Sequence, residues 1–286
     1  MVVLVSGAKG QLGQAIQSIV DNYPSIDFVF CTSSDLDITN SANCKAVFEK
    51  YKPHFCINTA AYTAVDKAET ETEKSHLINV IGAKNLAEVC KKHDTILLHV
   101  STDFLFDGTS KKPYTEDDVP NPTGVYGQTK LEGEIAIQNR WYKHFIIRTS
   151  WVYSQFGNNF MKTMLRLGNE KEELSVVSDQ IGTPTNAVDL AEALLKITEF
   201  CQTEPVEVFG IYNFSNEGQC SWYDFAKEIF KLNNLQIILT PIPSEAYPTP
   251  VKRPKYSVLD KTKITTTFGI QIENWKDSLR KCTQFL

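Results

Sequence analysis

Tyr126 and Lys130 stand four residues apart in a segment whose pattern predicts helix through Ala136. Side chains at that spacing lie on one helical face. A phenol has a pKa of about 10, so it exchanges protons poorly at neutral pH unless a neighbouring cation stabilises the phenolate. A lysine one turn along the helix is such a cation. The pair therefore predicts proton transfer to or from an alkoxide, although this spacing alone also arises by chance.

A second polar group follows a predicted strand. The apolar run from 95 to 100 leads directly into Ser101, Thr102 and Asp103. Open α/β sheets bind their ligands at the carboxyl ends of the strands, which makes these side chains candidates for substrate contact. The alternative is a helix cap or turn, which we disfavour because no helical pattern begins there.

A glycine loop opens the chain. The β-branched run from Val2 to Val5 enters Gly7, Gly10 and Gly13, and a helical pattern begins at Leu12. In such a strand-turn-helix unit the first glycine makes the tight turn, the second admits a pyrophosphate to the backbone amides, and the third allows close helix-strand packing. The motif predicts dinucleotide binding, against the alternative of a tight turn without a ligand.

The choice of dinucleotide depends on the end of the second strand. Thr32 and Ser33 stand about where an NAD enzyme places a ribose-binding carboxylate, and Lys9 in the glycine loop is a cation for a 2′-phosphate. We therefore expect NADPH, with NADH as the alternative. If Lys9 is only a solvated loop cation, this preference has no basis.

The order of elements predicts an α/β protein with a Rossmann-type doubly wound parallel sheet. Strand and helix patterns alternate through residues 1–150, which we assign to the NAD(P)-binding domain. Shorter elements after Ser150 predict a smaller C-terminal α/β lobe, residues 151–286, that binds substrate; part of 174–200 is expected to return to the first sheet.

Composition excludes several classes of protein. The net charge is −5 and the pI about 5.6, which gives no basic field for nucleic acid. No apolar run is long enough for a membrane span or a signal peptide, so we expect a cytoplasmic protein. The seven cysteines are scattered and lack Cys-x-x-Cys pairs, which argues against a disulfide framework and a zinc site.

A glycine loop with Thr102, Tyr126 and Lys130 in this order resembles the extended short-chain dehydrogenases/reductases. Further motifs make the chain similar to one family within them, the dTDP-4-dehydrorhamnose reductases, over essentially its whole length. These motifs are Thr63-Ala64-Val65-Asp66-Lys67-Ala68-Glu69, Ser101-Thr102-Asp103, Arg148-Thr149-Ser150-Trp151-Val152-Tyr153, Gly157-Asn158-Asn159-Phe160 and Tyr247-Pro248-Thr249-Pro250 before Arg253-Pro254.

The resemblance implies NAD(P)H-dependent reduction of the C4 ketone of dTDP-4-dehydro-β-L-rhamnose, the last step towards the activated rhamnose of surface polysaccharides. Tyr126 is implied to protonate the ketone oxygen, Thr102 to hydrogen-bond it, and Lys130 to lower the Tyr126 pKa and hold the nicotinamide ribose. Thr102, Asp103 and Trp151 are implied to touch the sugar nucleotide. The implied cofactor contacts are Gly10, Gln11 and Leu12 at the pyrophosphate, Asp37 and Ile38 at the adenine side, and Ala61, Tyr62, Thr63 and Val100 along the cofactor path.

The diphosphate of such a substrate needs a local cation in an acidic protein. We choose Arg253, because the prolines from Pro248 to Pro254 restrict the backbone and hold the guanidinium for bidentate contact. Lys252 and Lys255 flank it, so the alternative is a solvated basic loop.

Some relatives are implied to form a magnesium-bridged dimer through a glutamate just after the third glycine, where this chain has Gln14. We therefore expect no metal, and a homodimer stays open. Two other functions also stay open: a non-catalytic regulatory subunit like the β subunit of methionine adenosyltransferase, and another nucleotide-sugar enzyme such as a 4-epimerase or dehydratase. Dehydratases usually carry an acidic pair beside the threonine, whereas here Phe104 follows Asp103.

Overall fold

The computed structural model describes residues 1–203 and 208–285. Its strands, in chain order, are β1 (Val2–Ser6), β2 (Asp27–Cys31), β3 (Phe55–Asn58), β4 (Ile96–Thr102), β5 (His144–Thr149), β6 (Val152–Tyr153), β7 (Glu173–Val177), β8 (Ile181–Gly182), β9 (Thr185–Asn186), β10 (Gly210–Asn213), β11 (Cys220–Ser221) and β12 (Ile238–Ile242). Its helices are α1 (Gln11–Gln17), α2 (Ser41–Tyr51), α3 (Val65–Ala68), α4 (Thr72–His76), α5 (Ala83–His93), α6 (Val125–Gln138), α7 (Phe160–Glu170), α8 (Ala187–Thr203), α9 (Trp222–Leu232), α10 (Thr262–Phe268) and α11 (Trp275–Thr283).

Six strands form the central sheet in the order β2-β1-β3-β4-β5-β10, and every neighbouring pair is parallel. The order reverses direction between β1 and β3, the position at which open α/β sheets form a ligand crevice. The glycine loop leaves β1 at this crevice. The Rossmann-type sheet predicted from the sequence is confirmed.

Both faces of the sheet are buried, as the strand sequences require. In β1, Val3 and Val5 join one apolar cluster with Ile16 of α1 and Leu190 of α8. The intervening Leu4 joins the opposite cluster, to which α2, α5 and α6 also contribute. Successive side chains of a strand point to opposite faces, so a continuous apolar run predicts this double burial.

The sheet is not built from residues 1–150 alone. Its edge strand β10 pairs with β5 in the register Ile211 to Ile146, and α8 covers the α1 side of the sheet. The sequence predicts a return to this sheet within 174–200, whereas the place of β10 in it was not predicted. The division into domains at residue 150 stays a prediction.

The second half has its own apolar cluster. It includes Met161 of α7, Phe225 of α9 and Leu279 of α11, all with no exposed surface. Three short strand pairs surround it, β7 with β12, β8 with β11 and β6 with β9. Helix α9 begins at a capping box in which Ser221 and Asp224 bond each other's backbone amides.

The helix predicted from Asn79 starts earlier in the structure. Helices α4 and α5 are joined without a break by a π-helical segment, Leu77–Gly82. Within it, Asn79 Oδ1 accepts from the Tyr62 backbone amide at 2.9 Å and Asn79 Nδ2 donates to the Tyr62 carbonyl at 3.1 Å. Such π segments are frequent at functional sites, and this one holds a residue of the implied cofactor path. Among the described helices, none is long and apolar enough to cross a lipid bilayer.

Candidate active site

The glycine loop lies directly against the end of β3. Gly7 has φ +72, and a Cβ there would come within 2.7 Å of Thr59 Oγ1 and 2.8 Å of the Ala60 amide nitrogen. A Cβ on Gly13 would lie 2.5 Å from the Gly7 carbonyl oxygen. Within the described part of the chain, no side chain caps the N-terminus of α1, which begins after the exposed Gly10. The first amides of α1 are therefore available to an anion, and the loop fits a dinucleotide pyrophosphate.

Gln11 joins this loop to the second half of the chain. Its Nε2 donates to the Val152 carbonyl at 3.0 Å, and its Oε1 accepts from Asn159 Nδ2 at 2.7 Å and Ser154 Oγ at 3.1 Å. Asn159 also caps α7 by accepting from the Lys162 amide. Three hydrogen bonds to the second half of the chain thus orient the Gln11 side chain, and its backbone is the part that we assign to a pyrophosphate.

The end of β2 carries a carboxylate that the sequence analysis did not use. Asp35 Oδ2 accepts from the Thr32 amide at 2.9 Å and from Thr32 Oγ1 at 2.7 Å. These bonds lower the Asp35 pKa, with smaller contributions from Lys9 and Lys50. Lys9 itself is exposed, as the proposed 2′-phosphate contact requires.

The other residues of the implied cofactor path differ in exposure. Asp37 is exposed and accepts from the Thr39 amide and hydroxyl, whereas Ile38 is buried. Tyr62 is buried in one apolar cluster with Tyr126. The remaining residues of the implied path are Leu12 in the buried face of α1, half-buried Ala61, exposed Thr63, and half-buried Val100 near the end of β4.

Close packing of α6 brings Tyr126 to the end of β4. A Cβ on Gly127 would lie 2.3 Å from the Phe104 carbonyl oxygen, so only glycine lets the helix approach this loop. The Phe104 and Tyr126 rings then meet edge to face, with centroids 5.6 Å apart. This contact fixes the phenol beside Thr102.

Thr102 has a structural role that the sequence analysis rejected. Its Oγ1 accepts from the Phe104 amide at 3.2 Å and caps a one-turn 3-10 helix, Asp103–Leu105. A single turn is too short to leave a periodic pattern in the sequence, which explains the wrong expectation. The same hydroxyl donates to Asp103 Oδ1 at 3.2 Å and acts to lower the pKa of the neighbouring Tyr126 phenol.

Burial dominates the acid-base behaviour of this cluster. It raises the pKa of Tyr126 to about 12, although the Thr102 hydrogen bond opposes that rise and the Asp103 charge adds to it. Burial likewise raises the pKa of Asp103 to about 6, against hydrogen bonds from Ser257 and Thr102. The resemblance implied that Lys130 lowers the Tyr126 pKa, whereas burial is the larger influence in the structure. Tyr126 is therefore a neutral phenol at physiological pH, the form that donates a proton.

Lys130 is buried on the same helix. Its Nζ donates to the Val100 carbonyl at 2.7 Å and lies 3.2 Å from His99 Nε2. Burial lowers the pKa of Lys130 to about 8, and the Glu134 charge opposes that shift. Glu134 is itself paired with the buried Arg148 at 2.8 Å.

A cleft of about 1060 Å³ opens beside this cluster. Asp103 and Phe104 lie on one side, and Trp151, Trp222 and Arg253 line other parts of its wall. The Trp151 backbone has φ 47, and its indole stacks on Trp222 with centroids 3.5 Å apart. This flat aromatic pair and a nearby cation suit a ligand with a ring and an anionic group.

Arg253 reaches the cleft from the proline-rich run. Its Nη2 donates to Asp66 Oδ2 at 2.6 Å, and its guanidinium lies 5.7 Å from the Phe104 ring centroid. Among the described residues, neither Nη1 of Arg253 nor Oδ1 of Asp66, both buried, has a hydrogen-bond partner. The guanidinium is thus held in place at the wall of the cleft, where its charge can attract an anion.

Four residues of this site were not predicted from the sequence. Asp66 belonged to a quoted motif, but nothing indicated that it would meet Arg253. His99 lies just before the Ser101-Thr102-Asp103 motif, and Trp222 and Ser257 carried no recognisable signal. All four reach the site through tertiary contacts.

The comparisons with known proteins agree over the whole chain. The family described as RmlD substrate binding domain matches residues 1–286. A dTDP-4-dehydrorhamnose reductase from Aggregatibacter actinomycetemcomitans is 41% identical over 284 residues, covering 97% of this chain and 97% of the relative. The chain belongs to the dTDP-4-dehydrorhamnose reductase family.

Solved structures of this family have the same fold. A dTDP-4-dehydrorhamnose reductase from Clostridium acetobutylicum superposes with TM-score 0.94 at 43% identity, covering 99% of each chain. The Bacillus anthracis dTDP-4-dehydrorhamnose reductase, a complex with NADP, gives TM-score 0.93 at 38% identity and covers 100% of this chain and 99% of its own. The predicted family is confirmed, and the chain is related to an enzyme that binds NADP.

Proposed function

We propose that the protein reduces the C4 ketone of dTDP-4-dehydro-β-L-rhamnose to dTDP-β-L-rhamnose with NADPH, NADH being the alternative cofactor. The observation that carries this proposal is the position of Tyr126, whose ring meets Phe104 at the wall of the cleft, on the helix that also carries the buried Lys130. A reductase needs this order: a cofactor site, a proton donor and a substrate site.

The residues present fit a nicotinamide dinucleotide. The uncapped amides at the start of α1 suit the pyrophosphate, and Lys130 lies near the end of β4, where a nicotinamide ribose would meet it. When bound, the reduced nicotinamide supplies the hydride. All other steps depend on side chains of this chain.

Tyr126 holds the proton that the ketone oxygen needs as it becomes an alkoxide. Its raised pKa keeps the phenol protonated, so the donor form is present before the reaction starts. Thr102, which ends β4 beside Phe104, is assigned to hydrogen-bond the same oxygen as charge develops on it. Buried donors stabilise that charge more strongly than water-exposed ones would.

We assign substrate positioning to Trp151, Asp103 and Arg253. Trp151, stacked on Trp222, offers a face to the sugar, and Arg253 at the wall of the cleft offers its positive charge to the diphosphate. Asp103, with a pKa of about 6, can accept a hydrogen bond from a sugar hydroxyl at neutral pH. A substrate held by these three groups presents its ketone to Tyr126.

Turnover tests the proposal directly. Purified protein is mixed with dTDP-4-dehydrorhamnose and either NADPH or NADH, and loss of reduced-nicotinamide absorbance is followed. We expect substrate-dependent oxidation that is faster with NADPH. Cofactor binding without any turnover would instead support a regulatory subunit of the same fold.

We also propose a cytoplasmic location. All seven cysteines are free thiols, six of them buried, as is usual in a reducing compartment. Light scattering of the purified protein decides whether it forms a homodimer.

A further inference from the structure

A chain of buried polar side chains runs across three strands to Lys130. Ser6 of β1 bonds Asn58 of β3, Asn58 bonds His99 of β4, and His99 meets Lys130 of α6. All four residues are at most 3% exposed. The position of each hydrogen-bonding proton among these four side chains can therefore be assigned, because buried donors need acceptors.

The Asn58 carboxamide can point in only one direction. Its Oδ1 accepts from the Ala60 backbone amide at 3.1 Å and from Ser6 Oγ at 2.6 Å. A backbone N–H only donates, so a flipped amide would set two donors against each other. Asn58 Nδ2 therefore faces His99 Nδ1, at 2.9 Å.

This orientation fixes the His99 proton. Burial, with the charges of Lys130 and His144, keeps the His99 pKa well below its usual value, so the ring is neutral and carries one proton. Since Nδ1 accepts from Asn58, that proton is on Nε2. Nε2–H then points at Lys130 Nζ over 3.2 Å.

An N–H donor that faces Lys130 favours its neutral amine over its ammonium. The amine has a lone pair that accepts from His99 Nε2–H, whereas the ammonium has only donors. The bond from Lys130 Nζ to the Val100 carbonyl suits both forms. Among the described residues, no carboxylate forms an ion pair with Lys130, and Glu134 on the same helix is paired with Arg148 of β5.

We propose that His99, oriented by Asn58, is a positioning residue that presents Nε2–H to Lys130 and so favours the amine over the ammonium. Lys130 then changes charge within the physiological range, in line with its pKa of about 8, to which burial also contributes. The consequence for catalysis rests on the proposed reductase function. The hydrogen-bond assignment does not.

The ring proton can be located by nitrogen NMR of free protein labelled in its five histidines. The spectrum of H99F identifies the His99 resonances by their loss. We expect a protonated Nε2 and an unprotonated Nδ1 in the wild-type protein. A ring proton on Nδ1 would overturn the proposal without further variants.

The Asn58→Asp variant tests the link to Lys130. One oxygen of a carboxylate at position 58 still accepts from the Ala60 amide and the Ser6 hydroxyl. The other oxygen replaces the amide NH2 and faces His99 as an acceptor, so the ring proton moves to Nδ1. His99 Nε2 then accepts from the ammonium, and the Lys130 titration midpoint should rise by roughly one unit or more. This midpoint is read from labelled lysine, with the Lys130 signal assigned by Lys130→Met.

The new charge at position 58 needs its own control. In N58D/H99F the ring is absent, so the rise of the midpoint over that of H99F alone measures the direct effect of the carboxylate charge, and we expect the rise with the ring present to exceed it by roughly one unit or more. A rise as large as in N58D would mean that the carboxylate acts directly and would overturn the role of His99. These titrations use free protein, so a lack of ketone reduction would contradict the proposed function and leave this result standing.

Discussion

Arg253 and Asp66 are joined by a 2.6 Å hydrogen bond between residues 187 positions apart in the chain. The bond ties the proline-rich run to α3 at the wall of the cleft, with the side chain of Arg253 only 20% exposed. Asp66 uses one oxygen and Arg253 one terminal nitrogen, so the pair orients the guanidinium without occupying all of it.

Replacing Arg253 by lysine tests its contact with the diphosphate. Lysine keeps the charge but loses the planar fork, so we expect the KM for the sugar nucleotide to rise several-fold or more while NADPH affinity is unchanged. The exposed neighbour Lys252 provides the control, since Lys252→Ala should leave this KM alone. An unchanged KM in Arg253→Lys would show that Arg253 is a structural cation only.

Tyr126→Phe removes the proton donor and keeps the ring that packs against Phe104. We expect turnover to fall by roughly a hundredfold or more, with cofactor affinity little changed. Tyr114→Phe is the matched control, because Tyr114 is also buried and stacks on Phe106 away from the cleft. Near-normal turnover in Tyr126→Phe would remove Tyr126 from the mechanism.

Lys9→Ala should weaken NADPH binding by about 1 to 2 kcal/mol and spare NADH, since one exposed charge-assisted contact to the 2′-phosphate is lost. Binding is measured by titration calorimetry with both cofactors. Lys92→Ala, an exposed change at the end of α5, should affect neither. Equal losses for NADPH and NADH would make Lys9 a general loop cation.

Asp103 should make the protein less stable as pH rises through the mildly acidic range. Its pKa is about 6 when folded and near 3.8 when exposed, so the folded state binds the proton more tightly. The resulting stabilisation is complete below about pH 4 and is lost as pH rises through about 6, by roughly 3 kcal/mol. Asp103→Asn should remove this contribution from the pH dependence of the free energy of unfolding, measured in urea.

Asp107→Asn serves as a control of opposite sign. Bonds from Asn121 and Thr109 lower the pKa of Asp107 to about 2, so its contribution is present above the unfolded pKa and is lost as pH falls through about 2. We compare the free energy of unfolding of the wild-type protein with that of Asp103→Asn. If their difference does not change between pH 4 and 6, Asp103 does not behave as a buried carboxylate.

Local patterns were sufficient to predict the sheet and part of the site. The apolar run before Gly7 predicted β1, and glycine spacing predicted the loop, because both depend on neighbours in sequence. The same holds for Tyr126 and Lys130 on one helix. Thr102 followed from its place after a strand, although its capping role did not.

Contacts between distant segments could not be predicted in this way. The Asp66–Arg253 bond depends on how the two halves of the chain meet, and the Trp151–Trp222 stack depends on how distant segments of the second half pack together. The Tyr126 pKa was also misjudged, because the pattern shows a neighbouring lysine but gives no measure of burial. The place of β10 in the central sheet could not be predicted either, because its short apolar run does not specify its partner strand.

The placement of β10 also determines when the protein can finish folding during synthesis. β5 lacks its outer neighbour until Gly210–Asn213 has left the ribosome. The apolar face of α1 that carries Ile16 stays uncovered until Leu190 and Leu194 of α8 have left it. A nascent chain ending near residue 150 therefore exposes an open strand edge and apolar surface, the features that recruit chaperones or promote aggregation. Ribosome stalling before residue 213 should give a protease-sensitive product, whereas release a few tens of residues later should give a resistant one.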